Sequence, residues 1–304
     1  MGKLYLRQYF LLFLTAAIWG SGFVAQKTGI EHVSPYTFTF MRTLIGGLCL
    51  LPLLAVLNVI NSKKQVKKTD RKMFIYGSML CGFFLILSES LQQYGLLFTD
   101  VNKASFITAL YMVFVPIIGM FAGHRLTLKL TLAVALSCLG LYLFCMKGEF
   151  SLAYGDTLVL LCALGFAFHI LVISFFINKV DGVMLSCGQF FVASFLGFIM
   201  MALTGMPKTE ELMMAAPAIL YAGIMSNGIA YTLQIVGQKG VNPTIASLIL
   251  SLESVNGAIF GVIMLNESMS AKEITGAVLM FSAIVLTQIR LRKRLFKKTS
   301  VALN

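Results

Sequence analysis

The sequence predicts an all-α integral membrane protein in which ten transmembrane helices form two inverted five-helix halves. Three observations predict this fold class: the composition, the length of the apolar runs, and the face on which the basic residues fall. Of the 304 residues, 58% are hydrophobic and 12% are charged, whereas soluble domains have about 45–50% and about 25%. A soluble fold of this size needs a charged outer surface, and this composition does not supply one.

The apolar runs have the length that a helix needs to cross a bilayer. About 20 consecutive apolar residues span the hydrocarbon core, and the runs here have roughly 18 to 25. The first run continues through Trp19 to Ala25, beyond the apolar part of a signal peptide, and so predicts a retained helix. The ten predicted spans are residues 8–29, 36–58, 73–98, 103–123, 128–147, 154–177, 184–204, 213–238, 243–265 and 272–290.

The basic residues fall mainly on one face of the membrane when the connecting loops are numbered alternately. That face receives 18 of the 24 Lys and Arg residues, the other face receives five, and Arg42 lies inside a span. The positive-inside rule places the basic face, and with it both termini, in the cytoplasm. The net charge of +12 is therefore an orientation signal that also suits contact with anionic membrane lipid, and we do not expect nucleic-acid binding.

The first half, residues 1–149, and the second half, residues 150–304 with its basic C-terminal tail, carry similar short motifs in the same order. Asn102-Lys-Ala-Ser in the first half parallels Asn242-Pro-Thr-Ile in the second. Each half has five predicted spans, an odd number, so the second half enters the membrane from the opposite face. Inverted repeats are typical of carriers that work by alternating access.

Two pairs of small residues predict close packing of the fourth and ninth spans against a neighbouring helix. Gly119 and Gly123 form the first pair, and Gly257 and Gly261 form the second. Glycines four residues apart share one helix face and let another backbone approach it closely. The sequence does not identify the neighbouring helices.

Four motifs resemble those of the drug/metabolite transporter superfamily, specifically ten-helix proteins with two EamA-type domains. They are Trp19-Gly-Ser-Gly-Phe-Val-Ala, Phe40-Met-Arg42, Ser251-Leu-Glu253-Ser-Val and Asn266-Glu267. Their order and spacing extend the resemblance over nearly the whole chain, although Ser254 replaces the usual proline and Asn266 the usual glycine. The resemblance implies export or exchange of amino acids, related metabolites or drugs across a bacterial-type plasma membrane.

Charged residues inside the spans are the first candidates for a functional site, because burying each costs about 2.5–3.5 kcal/mol at mid-helix. Glu253 is predicted either to be a cavity carboxylate that binds a cation or titrates, or to tie helices through Asn256, His169 or a backbone group. Glu89 is predicted to pair with Arg42 or Lys27, in a gating or a structural role.

Aromatic and amide side chains near mid-span form the second group of candidates. They suit an organic, polar solute, although such residues also pack helix cores and tie helices together. His169 is predicted either to pack or to relay protons. With Glu253 and His169, the remaining binding candidates are Trp19, Gln93, Tyr94, Tyr111, Gln189, Asn227, Tyr231 and Gln234.

The predicted function is secondary transport of small polar metabolites such as amino acids, with export of multiple drugs or organic cations as an alternative. An intramembrane enzyme that pairs Ser21 with His124 or His169, or a scaffold without a transport cycle, is the alternative of another class. ATP-binding and zinc-protease motifs are absent from the sequence, and its cysteines form no CxxC pair. We therefore expect no enzymatic activity, no cofactor and no metal; the oligomeric state stays open, with a monomer favoured.

Overall fold

The computed structural model describes residues 2–63, 70–123, 126–145, 153–257, 259 and 269–288, and the regular structure within them is entirely helical. Seven of its helical segments are long and apolar enough to cross a membrane, and Leu128–Phe144 forms a shorter apolar helix. The prediction of an all-α membrane protein is confirmed. The count of ten spans stays a prediction, because most of residues 258–268 lie outside the described part.

The helices begin and end within a few residues of the predicted spans, apart from the early start of the first. A π-helical segment, Ala222–Tyr231, joins α9 to α10, and residues 253–257 are helical again after α11. The helices are α1 (Gly2–Gly29), α2 (Pro35–Lys63), α3 (Arg71–Gly95), α4 (Val101–Ala109), α5 (Tyr111–Phe121), α6 (Leu128–Cys145), α7 (Tyr154–Phe176), α8 (Gly182–Thr204), α9 (Thr209–Tyr221), α10 (Thr232–Gln238), α11 (Pro243–Leu250) and α12 (Ala271–Gln288).

Short polar side chains begin several helices, as the loop sequences require. Asp70 accepts hydrogen bonds from the first-turn amides of α3, and Asp181 does the same for α8. Asn242 accepts from Thr244 at the start of α11, where Pro243 occupies the first helical position. These side chains satisfy amide groups that the helix itself leaves without acceptors.

The span predicted over 103–123 is present as Val101–Phe121, and both this span and the described part of the one predicted over 243–265 contain a local interruption of the helical hydrogen bonding. The first breaks at Leu110, with φ −61° and ψ −10°, and the second at Ser251, with φ −61° and ψ −12°. At each break a backbone amide donates to the carbonyl oxygen three residues earlier instead of four. These bonds are Leu110 N to Ile107 O and Leu252 N to Ile249 O, both at 3.2 Å. Hydropathy did not reveal the breaks, because the residues around them are as apolar as a continuous helix.

Helices at corresponding positions in the two halves make corresponding contacts. The packing of α3 on α7 matches that of the α9–α10 span on α1, and the packing of α4 on α7 matches that of α11 on α1. Likewise α8 packs on α3 as the π-helical segment packs on α2. The fifth and last helices, α6 and α12, pack on each other, so the pattern of neighbours is preserved when the halves are exchanged.

Glycines mark the closest helix crossings. A Cβ atom on Gly20 of α1 would lie 2.5 Å from both the Glu253 carbonyl oxygen and the Gly257 amide, so Gly257 packs against α1. Gly123, in contrast, ends α5 with φ +83°, and a Cβ atom at that position would meet nothing within 4 Å, which corrects its predicted packing role. Gly119 is buried in α5, and Gly261 lies outside the described residues.

Candidate functional site

A narrow cavity lies between the two halves at the centre of the bundle. Its volume is about 30 Å³, room for roughly two water molecules. Both halves line it, since α1 to α5 contribute from one side and α7, the π-helical segment, α10 and residues 253–257 from the other. The lining residues are Trp19, Phe23, Gln26, Arg42, Gln92, Thr108, Tyr111, Phe166, Ile170, Ser226, Tyr231, Gln234 and Glu253.

The wall contributed by α1 follows from helical spacing. Trp19, Phe23 and Gln26 stand four and seven residues apart, so they lie on one stripe of the helix. Gly20 follows Trp19 and allows the backbone around Glu253 to come close to this stripe. The indole of Trp19 packs on the ring of Tyr231 from the second half, with ring centroids 4.6 Å apart.

The two helix breaks meet at the cavity. Tyr111 is the first residue of α5, directly after the first break, and Glu253 is the first helical residue after the second. The Tyr111 hydroxyl lies beside the Glu253 carboxyl group, without the geometry of a hydrogen bond. Ser254 Oγ donates to the carbonyl oxygen of Ser105 in α4 at 3.2 Å, which ties the two interrupted spans together.

Glu253 has no basic partner among the residues that the structure describes. Its side chain is 4% exposed, and its Oε1 atom accepts no hydrogen bond from the described part of the chain. The predicted ties to His169 and Asn256 are not formed, because His169 binds elsewhere and the Asn256 amide also lacks a partner there; the third predicted tie, to a backbone group, stays a prediction. An unpaired buried carboxylate is costly, so this carboxyl group either takes up a proton or binds a cation that enters the cavity.

Glu89, the other mid-span glutamate, faces a cation. Its Oε2 atom lies 3.2 Å from Arg42 Nη2, and the two side chains are 1% and 2% exposed. Asn227 and Tyr231 also lie beside the Glu89 carboxylate. Arg42 reaches from this pair to the cavity wall, so the pair of charges is part of the site's boundary.

Five of the ten predicted binding residues line the cavity: Trp19, Tyr111, Tyr231, Gln234 and Glu253. His169 and Gln189 stand behind Tyr231. His169 Nε2 and Gln189 Oε1 are 2.9 Å apart, and the His169 ring packs edge-on against Tyr231 with centroids 5.8 Å apart. These two residues support the wall without lining it.

The other predicted residues lie elsewhere. Gln93 Nε2 donates to the Gln26 carbonyl at 2.9 Å, and Tyr94 stacks on Tyr36 with ring centroids 6.0 Å apart. Asn227 is buried in the π-helical segment beside Glu89. Lys27 donates to the Leu96 carbonyl at 2.7 Å and is not paired with Glu89, so of the two predicted partners Glu89 has Arg42.

The serine and histidine pair of the enzyme hypothesis is not formed with His169. Ser21 Oγ shares a hydrogen bond with the Tyr221 hydroxyl at 2.5 Å and donates to the Ile18 carbonyl at 2.7 Å. His169 meets Gln189. His124, the other predicted base, lies outside the described residues.

Sequence reasoning missed several lining residues that a helical-stripe argument could have found. Phe23 and Gln26 share the face of Trp19, and Ile170 and Phe166 share one face of α7. Thr108 is less predictable, because it reaches the wall through a hydrogen bond of 3.0 Å from Gln92 that joins α3 to α4. Ser226 lies in the π-helical segment, where an ordinary helical period assigns the wrong face.

The family model of the EamA-like transporter family matches the chain twice, over residues 6–146 and 153–289. The chain belongs to this family. As a member of it, the protein is a membrane transporter, and the motifs around Trp19, Arg42 and Glu253 that resemble the family all contribute residues to the central cavity.

Similar proteins are named as transporters without a stated solute. An uncharacterized transporter of Archaeoglobus fulgidus is 30% identical over 92% of this chain and 85% of its own length. The uncharacterized transporter YoaV of Bacillus subtilis is 24% identical over 91% and 95%. A protein of known crystal structure aligns over 92% of this chain and 96% of its own with a TM-score of 0.70 at 16% identity, which is a likeness of fold.

Proposed function

We propose that this EamA-like transporter carries a small polar metabolite, such as an amino acid, across the plasma membrane by alternating access. The observation that carries the proposal is the central cavity, which both halves line and which contains buried polar atoms without partners. In this proposal the binding residues are Trp19, Tyr111, Tyr231, Gln234 and Glu253. Arg42 and Glu89 hold the wall.

The polarity of the cavity supports a polar solute. Lining atoms without a hydrogen-bond partner in the described part of the chain include both donors and acceptors. Each such atom costs about 1–3 kcal/mol when it stays unpaired in a buried site, and a polar solute removes that cost where a purely apolar one does not. These atoms are Trp19 Nε1, Gln26 Oε1, Tyr111 Oη, Gln234 Oε1 and Glu253 Oε1.

The size of the cavity and the matched contacts of the halves support alternating access. At about 30 Å³ the cavity is far smaller than the roughly 300–1,000 Å³ of an ordinary small-molecule site, so a metabolite enters only when helices separate. Exchanging the two halves preserves the pattern of helix neighbours. Two inverted halves of this kind have inward-open and outward-open packings of similar energy.

One end of the bundle carries a polar cluster that we assign to the outer gate. Lys103 Nζ lies 2.6 Å from Asp156 Oδ2, and Thr99 donates to Asp156 Oδ1 at 2.6 Å. These contacts join the start of α4 to the start of α7, and Lys27 binds the Leu96 carbonyl nearby. With both termini in the cytoplasm, as the basic loops predict, this end faces outward.

Transport is tested with purified protein in liposomes and a panel of labelled amino acids, amines and carboxylates. We expect saturable counterflow of at least one polar solute class. Trp19 is the only tryptophan of the chain and lines the cavity, so the transported solute should also change its fluorescence in a saturable manner. Trp19→Phe removes that signal and serves as its control. If every solute of the panel had the same flux in liposomes with the protein as in protein-free liposomes, the proposal would be contradicted.

The orientation has its own test. Met206 and Asn178 are exposed residues of two different connections, and the proposal puts Met206 outside and Asn178 inside. Met206→Cys and Asn178→Cys, made separately in a cysteine-free background, should differ in labelling of intact cells by an impermeant thiol reagent. Stronger labelling of Asn178→Cys than of Met206→Cys would overturn the proposed orientation.

A further inference from the structure

We propose that the transported solute binds as a monovalent organic cation, with a primary ammonium group placed at Glu253. The inference rests on the proposed function, because it names the substrate class of the same cavity. It narrows the polar metabolites of that proposal to amines and thereby excludes the zwitterionic amino acids named there as an example. The argument uses the charges around the cavity, the acceptors that line it and the aromatic rings beside them.

With Glu253 ionised, the described acidic and basic side chains at the cavity add up to one negative charge. Arg42 and Glu89 face each other at 3.2 Å, so their charges cancel locally. Glu253 lines the same cavity and has no basic partner within the described residues. A single uncompensated carboxylate in a low-dielectric site is more costly than one that has a counter-charge. One positive charge from the solute completes the pairing.

The charge arrangement discriminates against zwitterions and anions. A zwitterion brings a carboxylate as well as an ammonium group and requires a second cation in the wall. Arg42 already faces Glu89 and has its guanidinium beside the ring of Phe38, 5.8 Å from the centroid. An anion adds repulsion to Glu253 at close range. A solute with net charge +1 needs no second cation in the wall and is not repelled by Glu253.

The hydrogen-bond acceptors fit a primary ammonium group. Such a group has three N–H donors and no acceptor. Three residues that line the cavity have a buried side-chain oxygen without a donor in the described part of the chain: Gln26 Oε1, Gln234 Oε1 and Glu253 Oε1. They come from three helical segments that converge on about 30 Å³. A quaternary ammonium carries the charge but cannot satisfy these oxygens.

Aromatic rings complete the site. Trp19 and Tyr231 pack with their centroids 4.6 Å apart at an angle of 58°, and Tyr111 lies beside Glu253. Ring faces attract cations, by about 2 kcal/mol where water is excluded. The rings of Phe23 and Phe166 also line the cavity and offer an apolar surface to the body of the amine.

The test varies the charge of the solute while its body stays constant. Phenethylamine, phenylalanine, 3-phenylpropionate and trimethyl-phenethylammonium form one series, and butyl compounds with the same four head groups form another. Counterflow is measured for the wild-type protein, Glu253→Gln, Glu253→Asp and the control Glu31→Gln, whose site is exposed between α1 and α2. Folding of each variant is checked by size exclusion and Trp19 emission.

In at least one series, the counterflow rate of the primary amine should exceed the rates of its zwitterionic, anionic and quaternary counterparts. The expected factor is about ten, equivalent to roughly 1.4 kcal/mol. Glu253→Gln should remove this preference, whereas Glu253→Asp and Glu31→Gln should keep it. Saturable flux of zwitterions or anions without the amines would overturn the inference and leave the proposed function intact. So would an amine preference that survives in Glu253→Gln. Absence of saturable flux for every solute, including the wider panel above, would reject the proposed function itself.

Discussion

Two buried glutamates of the same chain have opposite surroundings. Glu89 is 1% exposed and faces Arg42 at 3.2 Å, whereas Glu253 is 4% exposed and has the Tyr111 hydroxyl, but no basic group of the described residues, beside its carboxyl group. The first charge is neutralised by the protein, and in the proposed mechanism the second interacts with the contents of the cavity. The comparison teaches that burial of a charge in a membrane protein does not reveal its role until its neighbours are known.

The two glutamates also differ in the helices that carry them: one helix is continuous and the other is interrupted. Glu89 lies within α3, which is continuous from Arg71 to Gly95. Glu253 follows the break at Ser251 and meets Tyr111, which follows the break at Leu110. A continuous helix holds its side chains in fixed positions, whereas an interrupted one offers a hinge at the depth where substrates bind in many transporters.

Neutralising each glutamate in turn should give the largest difference in stability between the two sites. Glu89→Gln leaves Arg42 buried without a counter-charge, and removing one partner of a buried pair costs about 3–5 kcal/mol. Glu253→Gln removes an unpaired charge and should leave stability unchanged or raised. Thermal unfolding of both variants in detergent measures the difference.

The double variant Arg42→Gln/Glu89→Gln is the control for that experiment. It removes both charges and should recover part of the stability lost in Glu89→Gln. If Glu253→Gln lost as much stability as Glu89→Gln, then Glu253 would have to be regarded as a structural residue as well.

The position of Glu253 can be tested without changing its chemistry. Gly20→Ala places a Cβ atom 2.5 Å from the Glu253 carbonyl oxygen, so the backbone must move, and overpacking of this kind costs about 1–3 kcal/mol. Gly22→Ala is the matched control, since its nearest neighbour, Ser226 Oγ, is 3.9 Å away. Stability and solute flux should fall for Gly20→Ala and change little for Gly22→Ala; equal effects would refute the assigned crossing.

A third buried carboxylate, Asp156, extends the comparison to the end of the bundle. Its side chain is 1% exposed and receives Lys103, Thr99 and the Ala153 amide. Asp156→Asn should lower the free energy of unfolding by about 1.5–3 kcal/mol, because hydrogen bonds to charged groups have this value. Asp181→Asn is the control: asparagine caps a helix about as well as aspartate, so α8 should be unaffected. Chemical denaturation of the two variants measures both free energies of unfolding. Equal losses in the two variants would contradict the stabilising role assigned to the Asp156 cluster.

The smallest effect is expected at the neighbour of Glu253. Tyr111→Phe deletes a hydroxyl that lacks hydrogen-bond geometry to the carboxyl group, so stability should change by less than about 1 kcal/mol. Apparent solute affinity should fall a few-fold, as read from Trp19 fluorescence. Tyr36→Phe, at the stacked pair with Tyr94 near the end of the bundle, should leave affinity unchanged. An unaltered titration in Tyr111→Phe would remove its hydroxyl from the proposed site.

Much of the candidate site was predictable because it consists of residues that are unusual for a membrane span. Trp19, Glu253 and Arg42 stand out against apolar neighbours, and all three reach the cavity. Gln93 stands out equally but binds the Gln26 carbonyl, while Phe23 and Ile170 line the cavity as ordinary apolar residues. Polarity identifies residues that need a partner, and it does not say whether the partner is the protein or a solute.

The sequence by itself determined the membrane class, the approximate spans and the family, because hydropathy and motif order are properties of consecutive residues and persist in any packing. Only the tertiary structure decided which glutamate meets Arg42, where the helices of Tyr111 and Glu253 break, and which side chains share the cavity. Those outcomes depend on contacts between residues far apart in the chain. Hydropathy contains no information on such contacts, since lipid and a neighbouring helix offer an apolar side chain nearly the same environment.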